Sequence, residues 1–211
     1  MKKSVVIILG VVGALVGGVV IVGLLLAGGY NRLVGLSQNV DAKWAQVQNV
    51  YQRRADLIPN LVSTVSGAAN FEKSTLTEIT QARASVGQVK IDPSKAPNDP
   101  EQLKKYQQAQ DQLSGALSRL LVVAERYPEL RATTNFRDLQ AQLEGTENRI
   151  SVERKNFNDA SQSYNTAVKR FPAVLYAGMF GFQTKPYFQA QAGSENAPKV
   201  QFDFGKPSTN R

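Results

Sequence analysis

The 211 residues contain no histidine and no cysteine, so any chemistry falls to carboxylates, hydroxyls, lysines and arginines. Losing histidine removes the usual neutral-pH general base and the commonest metal ligand, and losing cysteine removes thiolate nucleophiles, thiolate metal sites and disulfides. Four carboxylates sit where acid–base work is conceivable: Asp56, Glu72, and Glu144 with Glu147 in an ExxE spacing. Paired carboxylates can act without histidine when their environments separate their pKa values. The helical-bundle dimetal sites, by contrast, need a Glu-x-x-His motif that this chain cannot form. The Glu144–Glu147 spacing is common on helix surfaces, where solvated i,i+4 pairing is the ordinary explanation. A carboxylate-based enzyme is therefore the weakest reading; no catalytic residue, cofactor or metal is expected.

More specific is Tyr51 to Val65, YQRRADLIPNLVSTV, where Arg53, Arg54, Asp56 and Pro59 interrupt an amphipathic pattern. Apolar residues recur in three- and four-residue steps at Leu33, Leu36, Val40, Trp44, Val47 and Tyr51. They resume at Ile58, Leu61 and Val65 and continue at Leu76, Ile79 and Val86, a coiled-coil-like seam. Because the phase survives Pro59, the pattern predicts one long helix, kinked or briefly interrupted there, since an interior proline costs about 3 kcal/mol. Extrapolating the seam turns Arg54 and Glu72 inward. A buried charge needs a partner, and Glu147, nearest the inward face of a later helix, is the best match for Arg54. Two readings of Arg53, Arg54, Asp56, Glu72 and Glu147 stand: an internal polar tie that fixes helix register, or an exposed cluster that docks a partner.

Before this helix, Ser4 to Asn31 carry no charge and Val5 to Ala27 are almost wholly aliphatic or glycine. A run of about 20 such residues crosses a bilayer, predicting one transmembrane helix, with residues 5–27 in lipid, acting as a signal-anchor. Lys2 and Lys3 flank it, and the positive-inside tendency keeps that end cytoplasmic and the remainder on the outer side. Gly13 and Gly17 have the GxxxG spacing that lets membrane helices approach closely, so a homo-oligomer is one possible assembly.

Beyond the first helix, Gly87 to Pro100 is a proline-rich loop. Asp99-Pro100-Glu101 starts a second helix with its stripe at Leu103, Tyr106, Leu113, Leu117 and Leu120, ended by Pro128. A third begins at Asn135 and carries Phe136, Leu139, Leu143, Ile150, Phe157, Tyr164, Val168 and Phe171 toward Pro172. Tyr176 to Phe182 and Lys185 to Phe188 are expected to cap the bundle end; were Tyr176 to Phe182 exposed, they would form a binding surface. Val200 to Phe204 alternate like a strand, read as a docked tail or an addition to a partner's sheet.

The expected fold is all-α: a single N-terminal transmembrane helix, then an elongated antiparallel helical bundle with three long helices, the first kinked near Pro59. Its parts are an anchor (1–29), the bundle (30–182) and an irregular tail (183–211). The net charge of +8 is scattered, with no aromatic-plus-basic cluster, so no nucleic acid is expected as a partner.

These segments resemble the bacterial LemA family over nearly the whole chain. The resemblance rests on Tyr30-Asn31-Arg32-Leu33-Val34, Trp44 with Val47, and Tyr51 through Val62. It continues at Ala82-Arg83-Ala84, Tyr127 to Leu130, Asn135-Phe136, Glu144 through Ile150, Tyr164-Asn165, Arg170-Phe171-Pro172 and Gly181-Phe182. It implies a membrane-anchored antiparallel bundle in the bacterial inner membrane with no enzymatic site to transfer. Where the family has a histidine–glutamate pair, this chain has Asn70-Phe71-Glu72, so a role for that histidine cannot apply. The resulting functional expectation is a non-enzymatic bundle presenting a surface to envelope or membrane proteins. The alternatives are a self-assembling or lipid-surface structural protein and, last, the carboxylate enzyme.

Overall fold

A computed structural model describes residues 2–67, 71–93 and 95–190. Asn70 and the alternating Val200 to Phe204 stretch lie outside the described residues. The fold is all-helical: α1 (Lys2–Ser66), α2 (Lys73–Gln88), α3 (Pro100–Ala124), α4 (Pro128–Ala132) and α5 (Thr134–Lys169), followed by a 3-10 turn at Ala173–Leu175. With about 1.5 Å rise per residue, α1 is close to 100 Å long. Its first part is apolar enough and long enough to cross a membrane.

α1 passes through Pro59 without interruption. Pro59 sits on the exposed face, and its neighbours Ile58 and Leu61 are buried. The break comes instead at Gly67, after which the chain reverses into α2. The expectation of one helix through Val86 is therefore corrected: α2 is a separate, shorter helix, and the long helices are α1, α3 and α5. Val65 and Leu76 lie in phase because eleven residues make about three turns; an antiparallel helix meets the same periodic requirement, so seam phase cannot reveal the reversal.

The helices alternate in direction. α1 and α5 pack antiparallel, with Arg54 opposite Glu147 and Trp44 opposite Phe157. α2 and α3 do likewise, tied by Glu78 to Arg119 and Glu72 to Arg126. Tyr106 donates to Gln48 and Gln110 meets Arg54, which sets α3 parallel to α1. One core, around Trp44, Tyr51, Tyr106, Phe157 and Tyr164, lies toward the membrane end. The other, around Ile58, Leu61, Leu113, Leu120, Phe136 and Leu143, lies distally. The predicted stripes of α3 and α5 are buried, except that Phe171 is exposed.

Helix ends follow local chemistry. The Asp99 carboxylate accepts from the Glu101 N–H at 2.9 Å, with Pro100 at the first position. α3 ends at Ala124, before Pro128, which starts α4 instead. The cap of α5 is Thr133 rather than Asn135; its hydroxyl accepts from the Phe136 N–H.

After α5 the chain folds over the α1 backbone near Gly29, turns at Gly181 (φ +78°), and becomes an extended strap over residues 183–190. The strap runs along the side of the helices. Phe188 is buried against Trp44 and Phe157, so Lys185 to Phe188 do not form an end cap.

Candidate functional site

Arg54 is the best candidate because it is the one buried arginine among the described residues, 1% exposed. Its position on the α1 seam, four residues before Ile58, turns it into the bundle. Nη1 donates to the Ser114 hydroxyl at 2.6 Å and to Glu147 Oε2 at 2.9 Å. Nη2 donates to the Gln110 carbonyl at 3.2 Å and also to the Gln110 side-chain oxygen. Ser114 donates to the other Glu147 oxygen at 3.0 Å. Three helices therefore converge on one guanidinium, whose planar fork suits such convergence. Nε remains buried with no partner among the described residues.

A second node lies one turn toward the membrane. The Arg154 Nε donates to the Tyr51 hydroxyl at 2.6 Å, and Nη2 meets Asp111 Oδ1 at 2.8 Å. Arg54 and Arg154 both lie over the Tyr51 ring, at 5.3 and 5.6 Å from its centre, a cation–π arrangement. Burial pushes the Tyr51 hydroxyl above the usual tyrosine range, against the pull of Arg154 and Arg54.

The other expected members lie elsewhere. Arg53 is exposed and makes no hydrogen bond or ion pair among the described residues. Asp56 is exposed and accepts from Gln52 at 2.7 Å, a local contact within α1. Glu72 is not inward-facing: it precedes α2, is 42% exposed and pairs with Arg126 at 2.8 Å. The reversal after Ser66 removes it from the α1 seam. Gly13 is exposed and Gly17 partly so, and a Cβ at either would meet nothing within 4 Å among the described residues.

Glu144 and Glu147 share a cleft of about 290 Å³ with Arg54, Ser114, Ser118 and three leucines. Asp56 and Glu72 do not line it. Within the cleft the Glu147 carboxylate is held by Arg54 and Ser114, while Glu144 accepts from Gln140 at 3.0 Å. Apart from Arg54 Nε, the arrangement pairs donors with acceptors across three helices.

Sequence reading missed Gln110, Ser114, Asp111 and Arg154, together with three amides that hold the strap. Asn165 pairs with the Lys185 backbone through both N–H (2.7 Å) and carbonyl (2.8 Å). Asn158 does the same for Phe188, at 2.9 and 3.0 Å, and Gln107 for Gln189, at 3.0 and 2.8 Å. The i,i+7 spacing of Asn158 and Asn165 on one face of α5 was the available signal. Lys185 is also anchored, its Nζ donating to the Ala96 carbonyl at 3.1 Å and lying 3.9 Å from Asp41.

The family model described as "LemA family" matches residues 43–202, most of the chain and all of this polar core. The chain belongs to the LemA family. Magnetosome protein MamQ 2 of Paramagnetospirillum magneticum is 27% identical over 181 residues, covering 79% of this chain and 66% of that relative. Magnetosome protein MamQ of Magnetospirillum gryphiswaldense is 26% identical with the same coverage. Protein LemA of Metamycoplasma hominis is 24% identical over 160 residues, 76% of this chain and 68% of that relative. The chain thus spans about two thirds of the length of the curated relatives it matches. Family membership and the apolar part of α1 together make this LemA-family chain membrane-associated.

Proposed function

We propose that this LemA-family chain is a non-enzymatic, membrane-anchored bundle that presents an interaction surface to protein partners in the bacterial envelope. The observation that carries this reading is an open groove of about 1100 Å³ between α2 and α3. Its walls include Gln81, Gln108, Gln112, Lys104, Glu78 and Arg119. Amides on two rigid helices offer donors and acceptors at fixed spacing, which suits a polar partner segment. The Arg54 node supports the same reading from inside by linking α3, one wall of the groove, to α1 and α5, while the Glu78–Arg119 pair ties the other wall, α2, to α3. In this proposal Arg54 and Glu147 lock register, and Arg53 and Asp56 belong to the outer surface. Lys2 and Lys3 favour a cytoplasmic N-terminus, with the bundle on the outer side of the inner membrane.

Photo-crosslinking residues placed at Gln108 and Gln112 in intact cells should capture a protein that a probe at Val152, exposed on α5, does not. An identical set of captured proteins from both faces would refute the reading. C-terminal reporter fusions active only in the cytoplasm would reverse the orientation.

A further inference from the structure

Exposed apolar side chains are concentrated at one end of the bundle. Apart from the α1 span and Tyr30, the large hydrophobic residues exposed among the described residues are Val122, Val152, Tyr187 and five in one short segment. Those five are Phe171, Val174, Leu175, Met179 and Phe180, each more than half exposed and Met179 reaching 84%. The segment is folded and fixed. Tyr176 and Ala177 are buried, and the Ala177 N–H donates to the Ala173 carbonyl at 2.8 Å. A soluble protein rarely leaves a contiguous patch of this kind facing water.

Its place on α1 identifies what covers it. Tyr176 lies so close over Gly29 that a Cβ there would collide with the tyrosine hydroxyl. Tyr30 meets Phe180 and Phe182 edge-on, with ring centres 5.4 Å apart in both cases. Counting at about 1.5 Å per residue, the apolar run from Val5 to Ala27 fills a hydrocarbon core of about 30 Å and ends just before these contacts. The segment is therefore held against α1 at the level where α1 leaves the bilayer. Aromatic residues favour this depth.

The exposed charges on the segments that meet here are basic, and Asp41, which lines a cavity with Tyr30 and Phe180, faces Lys185 at 3.9 Å. Arg32, Lys169 and Arg170 are exposed at this end, and neither Ser4 to Val40 nor Ala160 to Thr184 contains an acidic residue. Basic side chains beside an apolar patch match a phosphate-bearing headgroup layer above acyl chains.

We propose that residues 171–180 form a collar inserted into the bilayer interface around the exit of α1. Phe171, Leu175, Met179 and Phe180 enter the acyl boundary, and Arg32, Lys169 and Arg170 rest on lipid phosphates. This contact goes beyond the single span and makes the anchor a two-part attachment. Such an attachment restricts the tilt of the bundle relative to the membrane.

The natural absence of cysteine permits a direct test on the full chain. Single replacements Met179→Cys, Leu175→Cys, Val122→Cys and Leu15→Cys are labelled with an environment-sensitive fluorophore. The proteins are placed in phosphatidylcholine–phosphatidylglycerol vesicles, with or without brominated acyl chains. All four positions are exposed, so the fold tolerates the change, and Trp44 emission verifies it. Positions 179 and 175 should show blue-shifted emission and lose much of it to brominated lipid, as position 15 does, while position 122 remains red and unquenched. Quenching at 179 and 175 no greater than at 122 would overturn the proposal. So would blue-shifted emission without quenching, which would mean that protein covers the patch.

Discussion

The guanidinium of Arg54 and the carboxylate of Glu147, 93 positions apart in sequence, meet at 2.9 Å with the arginine buried and the glutamate half exposed. That asymmetry determines what the pair contributes. A buried charge loses hydration and depends on its partners, whereas the glutamate retains water on one side. On the proposed reading the pair's value lies more in holding α1, α3 and α5 in one register than in net stability.

Neighbouring arginines should therefore behave oppositely. Arg53→Ala should change unfolding free energy by no more than about 0.5 kcal/mol. Arg54→Ala should cost about 2–4 kcal/mol, because Gln110, Ser114 and Glu147 lose their shared donor. Glu147→Gln, which keeps shape and removes charge, should cost about 1–2 kcal/mol. In a denaturant double-mutant cycle, Arg54→Met with Glu147→Gln should fall well short of the summed single effects. Full additivity would remove the lock.

Alkaline titration has a defined sign. Burial raises the Tyr51 pKa above the ordinary 10.0, and Tyr106 shifts the same way for the same first cause. The unfolded chain then releases these protons before the folded one, so stability present below about pH 10 is lost as pH rises above it. Lys185 has the opposite sign, since burial lowers its pKa from 10.5 against the pull of Asp41. Its contribution grows toward that pH and is complete beyond it, so the tyrosines control the higher range. Circular-dichroism melts from pH 10.5 upward should show falling stability, with a shallower slope in Tyr51→Phe.

The strap depends on amide brackets. Asn165→Ala leaves the N–H and carbonyl of Lys185 without their partner, a loss of about 1–3 kcal/mol if water cannot replace it. Hydrogen exchange at the Lys185 amide should accelerate sharply in Asn165→Ala, and at Phe188 in Asn158→Ala, while the α1 seam remains protected. Unchanged exchange at both positions would show that the strap is secured without these two brackets, by Phe188 burial and the Gln107 and Lys185 contacts.

Two kinds of glycine in α1 should separate cleanly. Gly13→Leu and Gly17→Leu should leave bundle melting unchanged, since nothing among the described residues lies near either Cβ; any loss of oligomer in detergent would then be a lipid-embedded effect. Gly29→Ala should displace Tyr176 at a cost of about 1–3 kcal/mol. Calorimetry on the full chain in detergent measures both.

Much of this molecule was legible from the residues alone. The apolar run, the i,i+3/i+4 seam and the Asp99-Pro100 start are set by interactions within a few residues. They determined the membrane-spanning segment, the all-helical class, most buried stripes and the inward direction of Arg54. Charge compensation then nominated Glu147. The reversal after Ser66 was not legible, because a continued and a reversed helix satisfy the same apolar period. Nor was the fate of Glu72, which follows from that reversal, or the choice of Gln110 and Ser114 as partners, since neutral polar residues carry no periodic signal. Phe171 fits the α5 seam in spacing, yet the chain leaves the helix at Arg170 and Phe171 is left exposed. Local sequence decides what each segment is, through backbone geometry and solvent. Only packing among the helices decides which polar groups meet and which apolar ones remain exposed.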